Sequence, residues 1–343
     1  MTSSSDDDRD AVTPSMRRRF VKSYTARWTY GGKARRPPHT DGVARTFDLH
    51  CHAHQGQQDP LALAQHASRS EMGGILFKTL DFNVPPMEKL AEIEGALNRW
   101  ADTEKIAPIR CFAGAMTDVW TGGPSAKTIL PHVTAGVRAV WLPTASHASS
   151  MSQVGGRRRW FDRKDGRAFP PMPFEEARSM GGLYLLDGGR LVEGAREVVA
   201  VCADHDLALF FGHLTHDEQD AVAEEIDRRR LRRGVVDHPF SPFVDLSVER
   251  MKSLARAGIY MNFTYDELSP MLGVDPFDMY TAIREVGCDR VTLSSDAGEA
   301  LFPDSVECMR LMRTMMGAYG LNDAELDTVT ITNPKFVLGL PSA

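Results

Sequence analysis

Residues 47–54, FDLHCHAH, place His50, His52 and His54 at alternate positions of a short, otherwise largely apolar run. In a β-strand successive side chains point to opposite faces, so residues two apart share a face. The pattern therefore predicts a strand from which His50 and His52 converge on one point. Two neighbouring imidazoles at a strand end are costly to bury without a partner, and a divalent metal ion is a partner that suits them.

Seven further runs of β-branched or aromatic residues follow, most of them separated by stretches with the apolar spacing of amphipathic helices. The eight runs are FDLHCHAH (47–54), GGILFKTL (73–80), IRCFAGAM (109–116), RAVWLPTA (138–145), LALFFGHL (207–214), RGVVDHPF (233–240), GIYMNFTY (258–265) and DRVTLSSD (289–296). This alternation is typical of β-α units around a parallel sheet, and eight strands close a (β/α)8 TIM barrel, the α/β fold that we predict. GGLYLLDGGRLVEG predicts a β-hairpin inserted before the fifth strand.

The composition is that of an ordinary globular protein, since 42% of the 343 residues are hydrophobic and 25% are charged. We expect an N-terminal arm over residues 1–45 and one catalytic barrel domain over 46–343. The net charge of -6 argues against a nucleic-acid partner, and no apolar run is long enough to cross a membrane. Aromatic residues in the arm favour packing on the barrel or on a neighbouring subunit, so we expect a homo-oligomer, a dimer or larger.

The sequence also bears on the cellular compartment. Five scattered cysteines without a CxxC pair suit a reducing environment. Residues 17–22, RRRFVK, resemble part of a twin-arginine export signal, but the apolar stretch that such signals need does not follow. We therefore expect a cytoplasmic protein.

Polar residues at the ends of later strands extend the pattern of His50 and His52. His213 follows LALFF, His238 follows RGVVD and Asp296 follows RVTLSS. Reactive groups of a TIM barrel lie at this end of the strands. Imidazoles with one carboxylate suit zinc, with manganese or iron as alternatives. We predict that these five side chains surround a divalent metal ion, although an isolated histidine is more often structural and SSDAGEALF is also a helix-start pattern.

The motif DLHCH, with the later histidines and aspartate, resembles the signature of the amidohydrolase superfamily of metal-dependent TIM-barrel hydrolases. KTLDF, VWLPTASH, GHLTHDE, VVDHPF, LSSDAG and NPKFVLGL are similar to an uncharacterised branch of it, and the resemblance covers residue 47 to the end. It implies His50, His52 and His213 as metal ligands. It also implies Asp296 as a ligand or proton acceptor, and His238 as a ligand of a second ion or a contact that polarises the substrate.

The sequence departs from the superfamily at one position. Many two-metal members carry a carbamylated lysine at the end of strand four, whereas this strand ends WLPTAS. We therefore favour one ion over two. Lys78, at the end of strand two, is a further catalytic candidate as a carbamate, a proton donor or an anion contact. Asp48 and Asp237 are candidates for fixing the imidazole tautomers.

The function that we expect is metal-dependent hydrolysis of an amide, ester or related C–N or C–O bond. A bound divalent ion lowers the pKa of water to about 7, Asp296 accepts the proton, and His238 helps to polarise the substrate. Two alternatives stay open. One is a metal-dependent non-oxidative decarboxylase, in which Asp296 protonates carbon, and the other is a barrel that binds metal without turnover.

The segment after strand four, residues 146–174, is rich in arginine and aromatic residues and is expected to lie over the mouth of the site. We predict that it binds a small anionic substrate. The candidate substrate contacts are Arg157, Arg158, Arg159, Trp160, His54 and His216. A solvated loop or a subunit contact explains the same charges as well.

Overall fold

The computed structural model describes residues 42–53, 58–154, 171–299 and 302–341. Its strands are β1 (Phe47–His52), β2 (Gly74–Thr79), β3 (Arg110–Met116), β4 (Ala139–Trp141), β5 (Leu186–Asp187), β6 (Arg190–Leu191), β7 (Ala208–Phe210), β8 (Gly234–Asp237), β9 (Tyr260–Thr264) and β10 (Val291–Ser294). Eight of them form a parallel sheet in the order β1-β2-β3-β4-β7-β8-β9-β10, and β5 pairs with β6 as an antiparallel hairpin. Each of the eight predicted runs contains one strand of the sheet, and the predicted hairpin is confirmed.

Helices follow the strands along the chain. They are α1 (Pro60–Arg69), α2 (Pro86–Glu104), α3 (Ala126–Ala135), α4 (Ala148–Val154), α5 (Phe174–Ser179), α6 (Glu193–Asp204), α7 (His216–Arg229), α8 (Val248–Arg256), α9 (Tyr265–Leu268), α10 (Pro276–Val286), α11 (Ser305–Tyr319), α12 (Asp323–Asp327) and α13 (Asn333–Val337). In α2 the buried residues recur at helical spacing, as Leu90, Ile93, Leu97 and Ala101. None of the helices in the described ranges is both long and apolar enough to cross a membrane.

The sheet closes into a barrel between its first and last strands. The amide of Asp296 donates to the carbonyl of His50 at 2.8 Å, and the amide of His52 donates to the carbonyl of Ala297 at 2.8 Å. Cys51 and Ala297 form a parallel bridge. Because of this closure, the carboxyl ends of β1 and β10 lie side by side, and the side chains of His50, His52 and Asp296 meet.

Apolar side chains fill the inside of the barrel beneath this end. Trp141 and Phe210, on neighbouring strands, are fully buried and stack with their ring centroids 4.2 Å apart. The ring of His50 lies 5.6 Å from the Trp141 ring. The metal-ligand candidates therefore stand on a close-packed layer, which restricts the movement of their side chains.

Candidate metal centre

Three donor atoms meet at the carboxyl end of the barrel. The Nε2 atoms of His50 and His52 are 3.2 Å apart, and Oδ1 of Asp296 lies 3.2 Å from the first and 3.1 Å from the second. Asp296 has a backbone φ of +49°, in the left-handed region that non-glycine residues adopt rarely and that is often found at functional sites. SSDAGEALF does not begin a helix at Asp296, since α11 starts at Ser305 with Asp304 as its N-cap.

The outer nitrogens of both histidines have partners that direct Nε2 to the centre. Nδ1 of His52 lies 2.8 Å from Oγ1 of Thr79, and Nδ1 of His50 lies 3.2 Å from Oδ1 of Asp237, although this second pair is not aligned as a hydrogen bond. A proton on each Nδ1 leaves both Nε2 lone pairs facing the carboxylate of Asp296. Two lone pairs and an anion at this separation repel one another unless a cation lies between them, so the donor set fits a divalent metal ion.

Asp237 orients His50 from beneath. Its carboxylate is fully buried and accepts hydrogen bonds from Trp141 Nε1 and Asn262 Nδ2, each at 2.8 Å. Burial alone would raise the pKa of Asp237, but the neighbouring His50 outweighs it and the pKa is lowered to about 2. Asp237 lies close to His50 and His238, but its oxygens are already occupied, which suits an orienting residue better than a metal ligand.

His238 stands next to this group. Its backbone φ is +33°, and its Nε2 lies 4.0 Å from Oδ2 of Asp296. Burial lowers its pKa to about 4, as it does for His52, so both imidazoles are neutral near pH 7. Burial and the three histidines act in opposite directions on Asp296, and His50, His52 and His238 hold the pKa of its carboxyl well below the usual value.

His213 lines the same cavity as His238 and Asp296. Its Nδ1 lies 2.5 Å from Oγ of Ser150, and its ring stacks on Phe243 at 4.7 Å and lies 5.0 Å from the ring of His238. Burial lowers the pKa of His213 well below its usual value. The compact donor groups found among the described residues do not include His213. With Nδ1 taken by Ser150, Nε2 is the atom that remains for a metal or a substrate.

A cavity of about 230 Å³ opens beside these residues. Most of its wall comes from residues at or after the carboxyl ends of the strands, the position at which TIM barrels bind substrates. The lining residues are His52, Lys78, Thr79, Phe82, Met116, Trp120, Thr144, Ala145, His213, His238, Ser241, Phe243, Asp266, Met271, Asp296, Glu299 and Phe302. Its size is below the range typical of pockets for drug-sized ligands, so it suits a small molecule.

A family model of known sequences matches residues 45–262. The chain belongs to the family of unknown function DUF6282. None of the curated proteins matches its sequence.

Three solved structures resemble the DUF6282 chain in fold. One is an amidohydrolase from Pseudomonas aeruginosa, with a TM-score of 0.56, 11% identity and coverage of 88% of this chain and 98% of that chain. The dipeptidase AC, a metallopeptidase, has a TM-score of 0.52, 16% identity and coverage of 86% and 98%. The probable dipeptidase PvdM from Pseudomonas aeruginosa has a TM-score of 0.52, 12% identity and coverage of 92% and 98%. The predicted (β/α)8 barrel fold is confirmed.

The DUF6282 structure brings His50, His52, His213, His238 and Asp296 to one end of the barrel. It does not support a substrate contact for His216, which is the first residue of α7 and exposed. Nε2 of His216 lies 3.1 Å from the carbonyl oxygens of both Val244 and Asp245, so it links α7 to the segment before α8. Other predicted contacts lie outside the described residues, namely His54, Arg157, Arg158, Arg159 and Trp160, as does most of the predicted arm.

Several residues of the site were not predicted from the sequence. The hydroxyl oxygen of Thr79 contacts His52, and that of Ser150 contacts His213. Phe243 stacks on His213, and Asp266 lines the cavity. Asp266 comes two residues after β9, so the strand-end rule that selected the histidines also applies to it. Ser150 lies in α4, and the sequence around it carries no such signal.

Proposed function

We propose that this protein is a metal-dependent hydrolase that acts on a small substrate in the 230 Å³ cavity. The observation that carries the proposal is the convergence of two oriented Nε2 atoms and one carboxylate within 3.2 Å of one another. His50, His52 and Asp296 would hold the ion. The similar folds of an amidohydrolase and two dipeptidases support hydrolysis of a C–N or C–O bond.

A divalent ion at this position would supply a Lewis acid and would lower the pKa of water to about 7. Zinc is favoured by the mixture of imidazole and carboxylate donors, with manganese or iron as alternatives. One ion is favoured over two, because the second donor group, formed by His50, Asp237 and His238, includes a carboxylate whose oxygens already accept hydrogen bonds.

The side chains around this group would move protons. Asp296 is ionised, since its pKa is held well below the usual value, and it faces the cavity, so it would accept a proton from water and return it to the leaving group. His238 is neutral and faces the same carboxylate across 4.0 Å, which suits a donor to a substrate oxygen on which negative charge develops.

A screen of substrates on reconstituted protein tests this proposal. The protein is loaded with zinc or manganese and assayed against amides, esters and lactones of small acids, beside Asp296→Asn, His238→Gln and the matched control Asp289→Asn, whose side chain is 79% exposed. We expect hydrolysis that falls by about a hundredfold or more in the two site variants and stays unchanged in Asp289→Asn.

Two results would overturn the hydrolase proposal. One is full activity in folded Asp296→Asn. The other is release of carbon dioxide from carboxylated substrates without hydrolysis of the screened bonds, which would assign decarboxylation to the same residues.

A further inference from the structure

Lys78 is a buried cation without a protein partner among the described residues. It ends β2, its residue is 6% exposed, and its side chain lines the cavity. Its Nζ lies 5.9 Å from the ring centroid of Trp141, and it makes no ion pair or hydrogen bond within the part of the chain that the structure describes. Burial is the largest cause that lowers the pKa of His213 and His238, and the positive charge of Lys78 lowers both pKa values further. Lys78 therefore lies close to both histidines.

An ammonium group at such a largely buried position loses much of its hydration, and a neighbouring anion stabilises it. Lys78 lies near Asp237, since its charge is among the causes that lower the pKa of that carboxyl, but no described carboxylate oxygen lies within 4.0 Å of its Nζ. Asp237 instead accepts from Trp141 and Asn262, and Asp296 faces the histidines. Lys78 therefore presents a charge to the cavity, and a negatively charged group on a bound molecule would supply the missing partner.

The rest of the cavity wall is apolar and aromatic. Phe82 and Trp120 meet edge to face with centroids 6.3 Å apart, and Phe243 presents a ring that stacks on His213. Met116, Met271 and Phe302 add further apolar surface. Such walls bind the flat or apolar body of a ligand by excluding water from it.

We infer that the cavity binds a small molecule with one carboxylate, held by Lys78, and an apolar or ring-bearing body against Phe82, Trp120 and Phe243. The ionised carboxylate of Asp296 and the side chain of Glu299 line the same cavity and disfavour a second negative charge, so a carboxylate suits it better than a phosphate. This inference rests on the proposed function for naming a substrate class, but it concerns binding and is tested without turnover.

The test is a calorimetric titration of 3-phenylpropionate into the protein at millimolar concentration. Three related probes separate its parts: 3-phenylpropan-1-ol lacks the charge, acetate lacks the ring, and inorganic phosphate has no apolar body. The protein variants are Lys78→Met, Phe82→Ala and, as a matched control, Lys127→Met, which changes an exposed lysine. Each protein is measured with metal bound and again after metal is removed with a chelator, because a carboxylate also binds metal ions.

We expect 3-phenylpropionate to bind and the other three probes to bind more weakly. Lys78→Met should weaken it by about tenfold to a hundredfold, as expected for loss of a charged hydrogen bond. Phe82→Ala should weaken 3-phenylpropionate but not acetate, and Lys127→Met should change nothing. The metal-free protein should retain binding, which makes the result independent of metal and of hydrolysis.

Three outcomes would overturn the inference. They are absence of 3-phenylpropionate binding to the wild type, equal affinity in Lys78→Met, and tighter binding of phosphate. Loss of binding in the metal-free protein with retention in metal-loaded Lys78→Met would place the carboxylate on the metal instead. The melting temperature of Lys78→Met distinguishes a role in ligand binding from a role in stabilising the fold. If Lys78 serves binding alone, its replacement should not lower the melting temperature.

Discussion

At the scale of single residues, the orientation of His50 depends on Asp237. Asp237→Asn removes the charge that favours a proton on Nδ1 of His50 and places an amide against the N–H groups of Trp141 and Asn262. We expect metal affinity to fall by about 10-fold to 100-fold, the usual effect of removing such an orienting group. Competition with a chelating dye measures it, with Asp289→Asn as control. Unchanged affinity in Asp237→Asn would show that Asp237 does not orient the ligand.

The cysteines provide a second prediction at this scale. Burial raises the pKa of Cys111 to about 12 and raises the pKa of Cys51 and Cys202. A raised pKa leaves less thiolate at any given pH, so these thiols should react slowly with disulfide reagents near pH 8. Half-buried Cys288 should react first, without loss of metal. Counting labelled thiols against time checks this, and rapid labelling of Cys51 with release of metal would contradict it.

At the scale of the elements, Gly212 sets the direction of the chain after β7. Its φ is +61°, and an added Cβ would lie 2.4 Å from the carbonyl oxygen of Leu142 and 2.5 Å from that of Pro143. Gly212→Ala should therefore cost about 2–4 kcal/mol of unfolding free energy and displace the neighbouring His213. Gly181, at φ +92° with open space around it, is the matched control, and Gly181→Ala should cost about 1 kcal/mol. Equal losses in denaturant unfolding would contradict the steric argument.

The elements also show how far the sequence predicts this structure. The parallel strands were predictable because a buried strand appears as a bounded apolar run. The meeting of His50, His52 and Asp296 at one end of the barrel was predictable because each lies at or just after the end of a strand, while their role as metal ligands stays a prediction. The irregular register of β1 against β2, which shifts between Asp48 and Cys51, depends on pairing with another strand. The contact of Ser150 with His213 joins residues 63 positions apart, which local patterns do not encode.

At the scale of the whole molecule, the metal would join the two strands at which the barrel closes. Since His50 and His52 lie on β1 and Asp296 follows β10, an ion bound to them favours the folded state over the unfolded chain. Removal of metal by a chelator should therefore lower the melting temperature. The expected loss is about 3–4 kcal/mol of unfolding free energy, relative to protein with metal in large excess over its Kd. His50→Ala/His52→Ala should show no shift with chelator. An equal shift in that variant would place the stabilising metal elsewhere.

The metal content of the purified protein tests the central claim most directly. Elemental analysis on wild type and on His50→Ala/His52→Ala, each purified without chelator and then reconstituted, gives the number of ions per chain. We predict about one equivalent of zinc, manganese or iron in the wild type and none in the double variant. A wild type that holds no metal after reconstitution, or a double variant that keeps its full equivalent, would contradict the assignment of this end of the barrel as a metal centre.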